Sequence, residues 1–187
     1  MTERRIALLD AAIEEIAQRG TRGLRIELVA ARAGVSTALI YHHFGDRSTL
    51  LHAALEHVGE RAAGYTDHRL GTGREQLLTM LANEIQDDEA VRTNSTAWGE
   101  LRDAAVFDQS LRPTIEALTD RWAAAIAAIV RVGQADGSIA TDLEPHQLGV
   151  CLSALAEGIS GRWLTGLLSA QQARTHLTGL VAAILHP

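Results

Sequence analysis

Apolar residues return along this chain at steps of three and four, and almost nowhere in strict alternation, so the pattern predicts helices from end to end. Ile6, Leu9, Ile13, Ile16 and Ala17 mark one face of a first helix, about Glu3 to Arg19, with Gly20 as its stop. Ile26, Val29, Ala30 and Ala33 do the same for a short second helix that Gly34 ends. A glycine there can take the positive φ of a tight corner, Val35 can tuck beneath it, and Ser36 can cap a third helix running to about His43. Ile40 and Phe44 fall on its inner side and leave Thr37, Ala38, Tyr41 and His42 outward. Asp46 can cap a fourth helix, whose Leu50, Leu51, Ala54, Leu55 and Val58 carry it to about Gly64.

Five further helices follow by the same reading. A glycine-bearing loop at 71–73 precedes a fifth, with Leu77, Leu78, Leu81 and Ile85, and the acidic run 87–89 ends it as a solvated loop. A sixth spans about Val91 to Asp103, and a seventh about Ser110 to Ala135, with Ile115, Leu118, Trp122, Ile126, Ile129 and Val130. Pro145 suits the first turn of an eighth, because proline lacks only a donor left unpaired there. That helix carries two stripes, one of Leu148, Leu152, Leu155, Ile159 and Trp163, the other of mostly small residues, Val150, Ala154, Gly158, Gly161 and Thr165. The ninth, about Ala170 to Leu185, is too apolar for a solvated tail. Two stripes require two neighbours. The eighth and ninth helices are expected to form a four-helix seam with a second copy of the chain, through Ala154, Gly158, Gly161, Leu177, Leu180, Val181 and Ile184, the alternative being that both pack inside one monomer.

The fold class expected is all-α: an N-terminal three-helix helix-turn-helix head over residues 1–47 and a helical body over 48–187. In such a head the third helix offers its outer positions to the major groove of double-stranded DNA. Thr37 and Ala38 are short enough to approach base edges, Tyr41 pairs a bracing ring with a hydroxyl that reaches phosphate, and Arg47 stands at a helix start facing the backbone. His42 is placed to meet either a base or the backbone.

Charge sharpens this division. The chain carries a net −6, yet residues 1–47 sum to +1 and the remainder to −7, so DNA contact is expected at the head alone. There is no lysine, and every fixed cation is a forked arginine guanidinium. One cysteine rules out an internal disulfide framework, and with no secretory or apolar spanning stretch the expected location is the cytoplasm, with no membrane partner. No glycine-rich phosphate loop, paired-cysteine site or HExxH helix is present, and the adjacent His42 and His43 point about a hundred degrees apart, so no enzyme, cofactor or metal is expected. His52 and Glu56 share a helical face, but two such residues make no site.

Gly20, the run Ala33-Gly34-Val35-Ser36, the run Tyr41-His42-His43-Phe44 and Arg47 together resemble the DNA-binding domain of the TetR family of bacterial transcriptional regulators, in order and in spacing. The resemblance implies phosphate contacts from Tyr41 and His43. Three positions depart from the family pattern: Arg25 stands where a capping serine or threonine is usual, Glu27 where a basic or polar residue is, and Leu39 for a threonine. The candidate DNA-binding set is thus Arg25, Ser36, Thr37, Ala38, Leu39, Tyr41, His42, His43 and Arg47.

The body resembles the family more loosely, through the run 132–138 (VGQADGS) before a proline-started helix. It implies a small-molecule pocket between the fourth and eighth helices, a repressor that is a homodimer on a palindromic operator, and release when effector shifts the fourth helix. Aromatic, sulfur or charged side chains on apolar helices supply the effector candidates: Tyr65, Met80, Trp98, Arg102, Trp122, Cys151 and Glu157. The alternative is a DNA-binding regulator or architectural protein with no effector.

Overall fold

The computed structural model describes Thr2–Leu185. Nine α-helices, α1 (Glu3–Gly23), α2 (Ile26–Ala33), α3 (Thr37–Phe44), α4 (Arg47–Thr66), α5 (Gly73–Asn83), α6 (Glu89–Ala104), α7 (Arg112–Asp136), α8 (Pro145–Leu164) and α9 (Ala170–Ile184), and one 3-10 turn at Gln109–Leu111 make up its regular structure, with no strand among the described residues. The fold is all-α, as the periodicity requires.

Contacts divide the chain into two compact units: 1–61 with 93–115, and 62–92 with 116–187. The first unit extends beyond Arg47 into α4. Leu50, Leu51, Leu55 and Val58 of α4 are buried, and α6 joins the same unit by donating the Asn94 Nδ2–H to the Val58 carbonyl over 3.1 Å.

In the first unit α1 and α2 pack through Leu8, Leu9, Ile13, Ile16, Val29 and Ala30, all buried. α1 leaves helical geometry at Gly20, where φ is +71°, and resumes for one more turn to Gly23. Beneath this pair lies a carboxylate, Glu15, only 3% exposed. It accepts from the Arg19 guanidinium at 3.1 Å and from Arg32 Nε at 2.7 Å, and Arg32 also reaches Glu14 at 2.8 Å. The bond to Glu15 is the main reason the Arg32 guanidinium holds its proton more tightly than usual. A buried carboxylate without such partners would be costly, and with them it ties α2 to α1. His57 of α4 is likewise enclosed, 3.1 Å from Asp10 and 3.3 Å from Glu60.

In the second unit Leu77, Leu81, Ile126, Val130, Leu152, Trp163, Leu177 and Val181 form one core. Close backbone approaches make it compact. A Cβ on Gly149 of α8 would lie 2.3 Å from the Ala123 carbonyl oxygen of α7, and one on Gly73 would lie 2.1 Å from the Gly133 nitrogen. The run 132–138 has a visible task here: Asp136 accepts from the Gly73 N–H at 2.7 Å and Ser138 from the Arg74 N–H at 3.1 Å, closing the start of α5. The acidic run 87–89 is more than solvated loop, since Asp88 caps α6 through the N–H groups of Ala90 and Val91 and Glu89 is its first residue.

The two stripes of α8 separate as their residue sizes suggest. Leu152 and Trp163 are sealed, whereas Val150, Ala154, Gly158, Gly161 and Thr165 face outward. On α9 Leu180 and Ile184 are exposed, but Leu177 and Val181 are fully buried. These last two were expected at a seam with a second copy; they belong instead to the core of their own unit, where α9 packs on α5 and α8.

Candidate nucleic-acid interface

The corner between α2 and α3 is built from local signals. Gly34 adopts φ +66° and caps α2, and the Ser36 hydroxyl accepts from the Leu39 N–H at 3.4 Å to start α3. Ile40 and Phe44, one turn apart, are 1% and 4% exposed and anchor α3. The opposite side of α3 is open. Tyr41 is 50% exposed, Ala38 and His42 are exposed, and Thr37, Leu39 and His43 are half-buried. α3 thus presents a short polar and aromatic surface on a rigid mount, as a recognition helix needs.

The flanking arginines are arranged less simply. Arg25 is the N-cap of α2 and makes no side-chain cap bond, so the departure from serine or threonine does leave this end uncapped, with the guanidinium exposed. Arg47 donates from Nε to the Leu24 carbonyl at 3.0 Å and from a terminal nitrogen to the Thr21 carbonyl. Two of its five N–H groups therefore brace the α1–α2 corner, next to Arg25. Asp46 caps α4 through the Thr49 N–H at 2.7 Å, and that bond holds its carboxyl below the usual range.

The effector candidates are distributed over both units. Trp98 and Arg102 lie in the first, where Arg102 pairs with its neighbour Asp103 at 3.0 Å. In the second, Met80 is buried in the core, Tyr65 and Trp122 pack against it, Glu157 is half-buried, and Cys151 is exposed on the outside of α8. The sequence reading passed over Glu84, at the end of α5. Burial, and then the neighbouring Glu157 carboxylate, push its carboxyl up to about 8. Its signal was present in the spacing: Leu77, Leu81 and Glu84 fall on one face at helical steps, and an acid on that stripe turns inward. No group of three or more possible metal ligands, and no helix long and apolar enough to cross a membrane, occurs among the described residues.

With these features established, comparison with known proteins is direct. Residues 8–54 match the family model for bacterial regulatory proteins of the tetR family, and 73–186 match that for the C-terminal part of BetI-type transcriptional repressors. The HTH-type transcriptional regulator BetI of Burkholderia lata is 28% identical over 170 residues, covering 89% of this chain and 83% of that protein. A TetR-family transcriptional regulator from Rhodococcus sp. superposes with a TM-score of 0.92 at 44% identity, over 99% of this chain and all of the other. A transcriptional regulator from Saccharomonospora viridis, solved in complex with choline, superposes with a TM-score of 0.85 at 26% identity, over 99% and 98% of the two chains. The N-terminal helix-turn-helix and the apolar helical segment that follows it in sequence are accordingly parts of a transcriptional regulator and not of an enzyme: the chain belongs to the TetR family, with a BetI-type repressor body.

Proposed function

We propose that the protein is a one-component repressor, that it binds a palindromic operator as a homodimer through α3, and that a small molecule held in the second unit releases it. The observation that carries this reading is the division of α3, with Ile40 and Phe44 anchored and Ala38, Tyr41 and His42 open, within residues 1–47, which sum to +1 in an acidic chain. Tyr41, His43, Arg25 and the unspent N–H groups of Arg47 take phosphates, while Thr37, Ala38, Leu39 and His42 meet bases. Ser36 adds its exposed backbone at the helix start. The outward residues of α8 and α9, Ala154, Gly158, Gly161, Leu180 and Ile184, form the seam with a second protomer.

For the effector, the choline carried by the Saccharomonospora viridis relative suggests a small ammonium compound. Glu84 and Glu157, a buried carboxyl and the carboxylate beside it, suit a cation better than an anion. A ligand can weaken DNA binding only through its preference for one conformation, on the order of a few kcal/mol. Fluorescence anisotropy on a duplex from the protein's own promoter, with and without millimolar choline, tests the whole scheme. Operator affinity should exceed that for a scrambled duplex, fall steeply with salt, and fall again when choline also raises the melting temperature. Choline that stabilises the fold yet never changes operator affinity would overturn the effector part, and equal affinity for both duplexes the operator part.

A further inference from the structure

From α1 a side chain with no assigned task reaches the end of α3. Arg5 donates from a terminal guanidinium nitrogen to the His43 carbonyl at 3.2 Å, and its guanidinium carbon stands 4.5 Å from the centre of the Phe44 ring. Its own N–H is fixed by the Thr2 hydroxyl at the N-cap of α1. No carboxylate lies within ion-pair distance of it among the described residues, so this half-buried cation serves α3 and not a salt bridge.

Eight residues are too few for a helix to hold its own geometry in water, so the pose of α3 comes from what touches it. Ile40 and Phe44 lie one above the other on a single line. Two anchors on one line fix depth but not roll. The His43 carbonyl is among the last four of the helix, which lack intrahelical donors, and a cation at that end also meets the negative pole of the helix. Arg5 thus supplies a third point, off the line of the first two. A roll of about 10° moves a side-chain tip, some 5–6 Å from the helix axis, by about 1 Å, enough to spoil a base-edge hydrogen bond while phosphate attraction persists.

We infer that Arg5 is a positioning residue for DNA reading, setting the roll of the recognition helix through the His43 carbonyl and the Phe44 ring and touching no DNA itself. The inference rests on the reading of α3 as the DNA-binding helix. The test measures affinity against salt for two duplexes: the best binder that the unmodified protein selects from random sequence, and a scrambled duplex of equal length. Arg5→Met should bind the selected duplex about tenfold more weakly, the scale of one charge-assisted hydrogen bond and one ring contact, and the scrambled duplex nearly normally. The slope of log affinity on log salt should stay unchanged, and Arg5→Lys, which keeps a cation and a donor, should recover part of the loss. A slope shallower by about one, with equal losses on both duplexes, would make Arg5 a phosphate contact and overturn the inference, as would unchanged discrimination. If Arg5→Met does not fold, Phe44→Leu takes its place, since removing the ring should give the same loss of discrimination at constant slope; no loss there overturns the inference equally. Failure of the unmodified protein to select any sequence would instead refute the reading of α3.

Discussion

Glu84 is the residue at which sequence and environment disagree most. A carboxyl free in the unfolded chain gives up its proton near its ordinary 4.5, whereas burial and Glu157 delay that to about 8 in the folded protein. Below pH 4.5 both states are neutral at this position and it costs nothing. Between 4.5 and 8 the unfolded chain is ionised and the folded one is not, so folding takes up a proton and stability falls as pH rises. Glu84→Gln, neutral throughout, should therefore melt with the parent near pH 5 and above it at pH 8.5, by on the order of a few kcal/mol at the higher pH. Thermal melts at the two values check this. A constant difference across pH would show that the Glu84 carboxyl is not enclosed.

Elements were legible in the sequence wherever their signals were local. Gly34, Ser36 and Asp46 act within four residues of themselves, and each does in the structure what its chemistry announces. Tasks that need a distant partner were not legible. Arg5 gains its role from a carbonyl 38 residues away, Arg47 from two carbonyls across the α1–α2 corner, and Leu177 and Val181 their burial from α5 and α8. A helical stripe states that a face is covered and not by what. Close crossings of helices show the same limit, because Gly149 and Gly158 look alike in sequence while only Gly149 meets a neighbouring backbone. Gly149→Ala should destabilise the protein by about 1–3 kcal/mol, as a methyl at 2.3 Å from the Ala123 oxygen forces α7 and α8 apart. Gly64→Ala, a helical site with nothing within 4 Å of the new carbon, should instead be neutral or gain up to about 1 kcal/mol. Urea unfolding of the pair separates crowding from helix propensity, and equal shifts would show that the crossing yields.

For the molecule as a whole, the proposed homodimer puts its seam on the outward small stripe of α8. Added carbons on Gly158 and Gly161 meet nothing within 4 Å inside one chain, so leucine at either place should leave a protomer folded. It should nevertheless keep two protomers from closing. Light scattering on Gly158→Leu and Gly161→Leu should give a monomer that melts as one cooperative unit, and an intact dimer from both would place the seam elsewhere. Cys151, the chain's one thiol, stands exposed on that stripe, three residues before Ala154 and seven before Gly158. A closed seam would shield its sulfur and an open one would present it to an alkylating reagent. The rate of alkylation at high reagent then reports how often two protomers part, so the chain carries its own clock for subunit exchange.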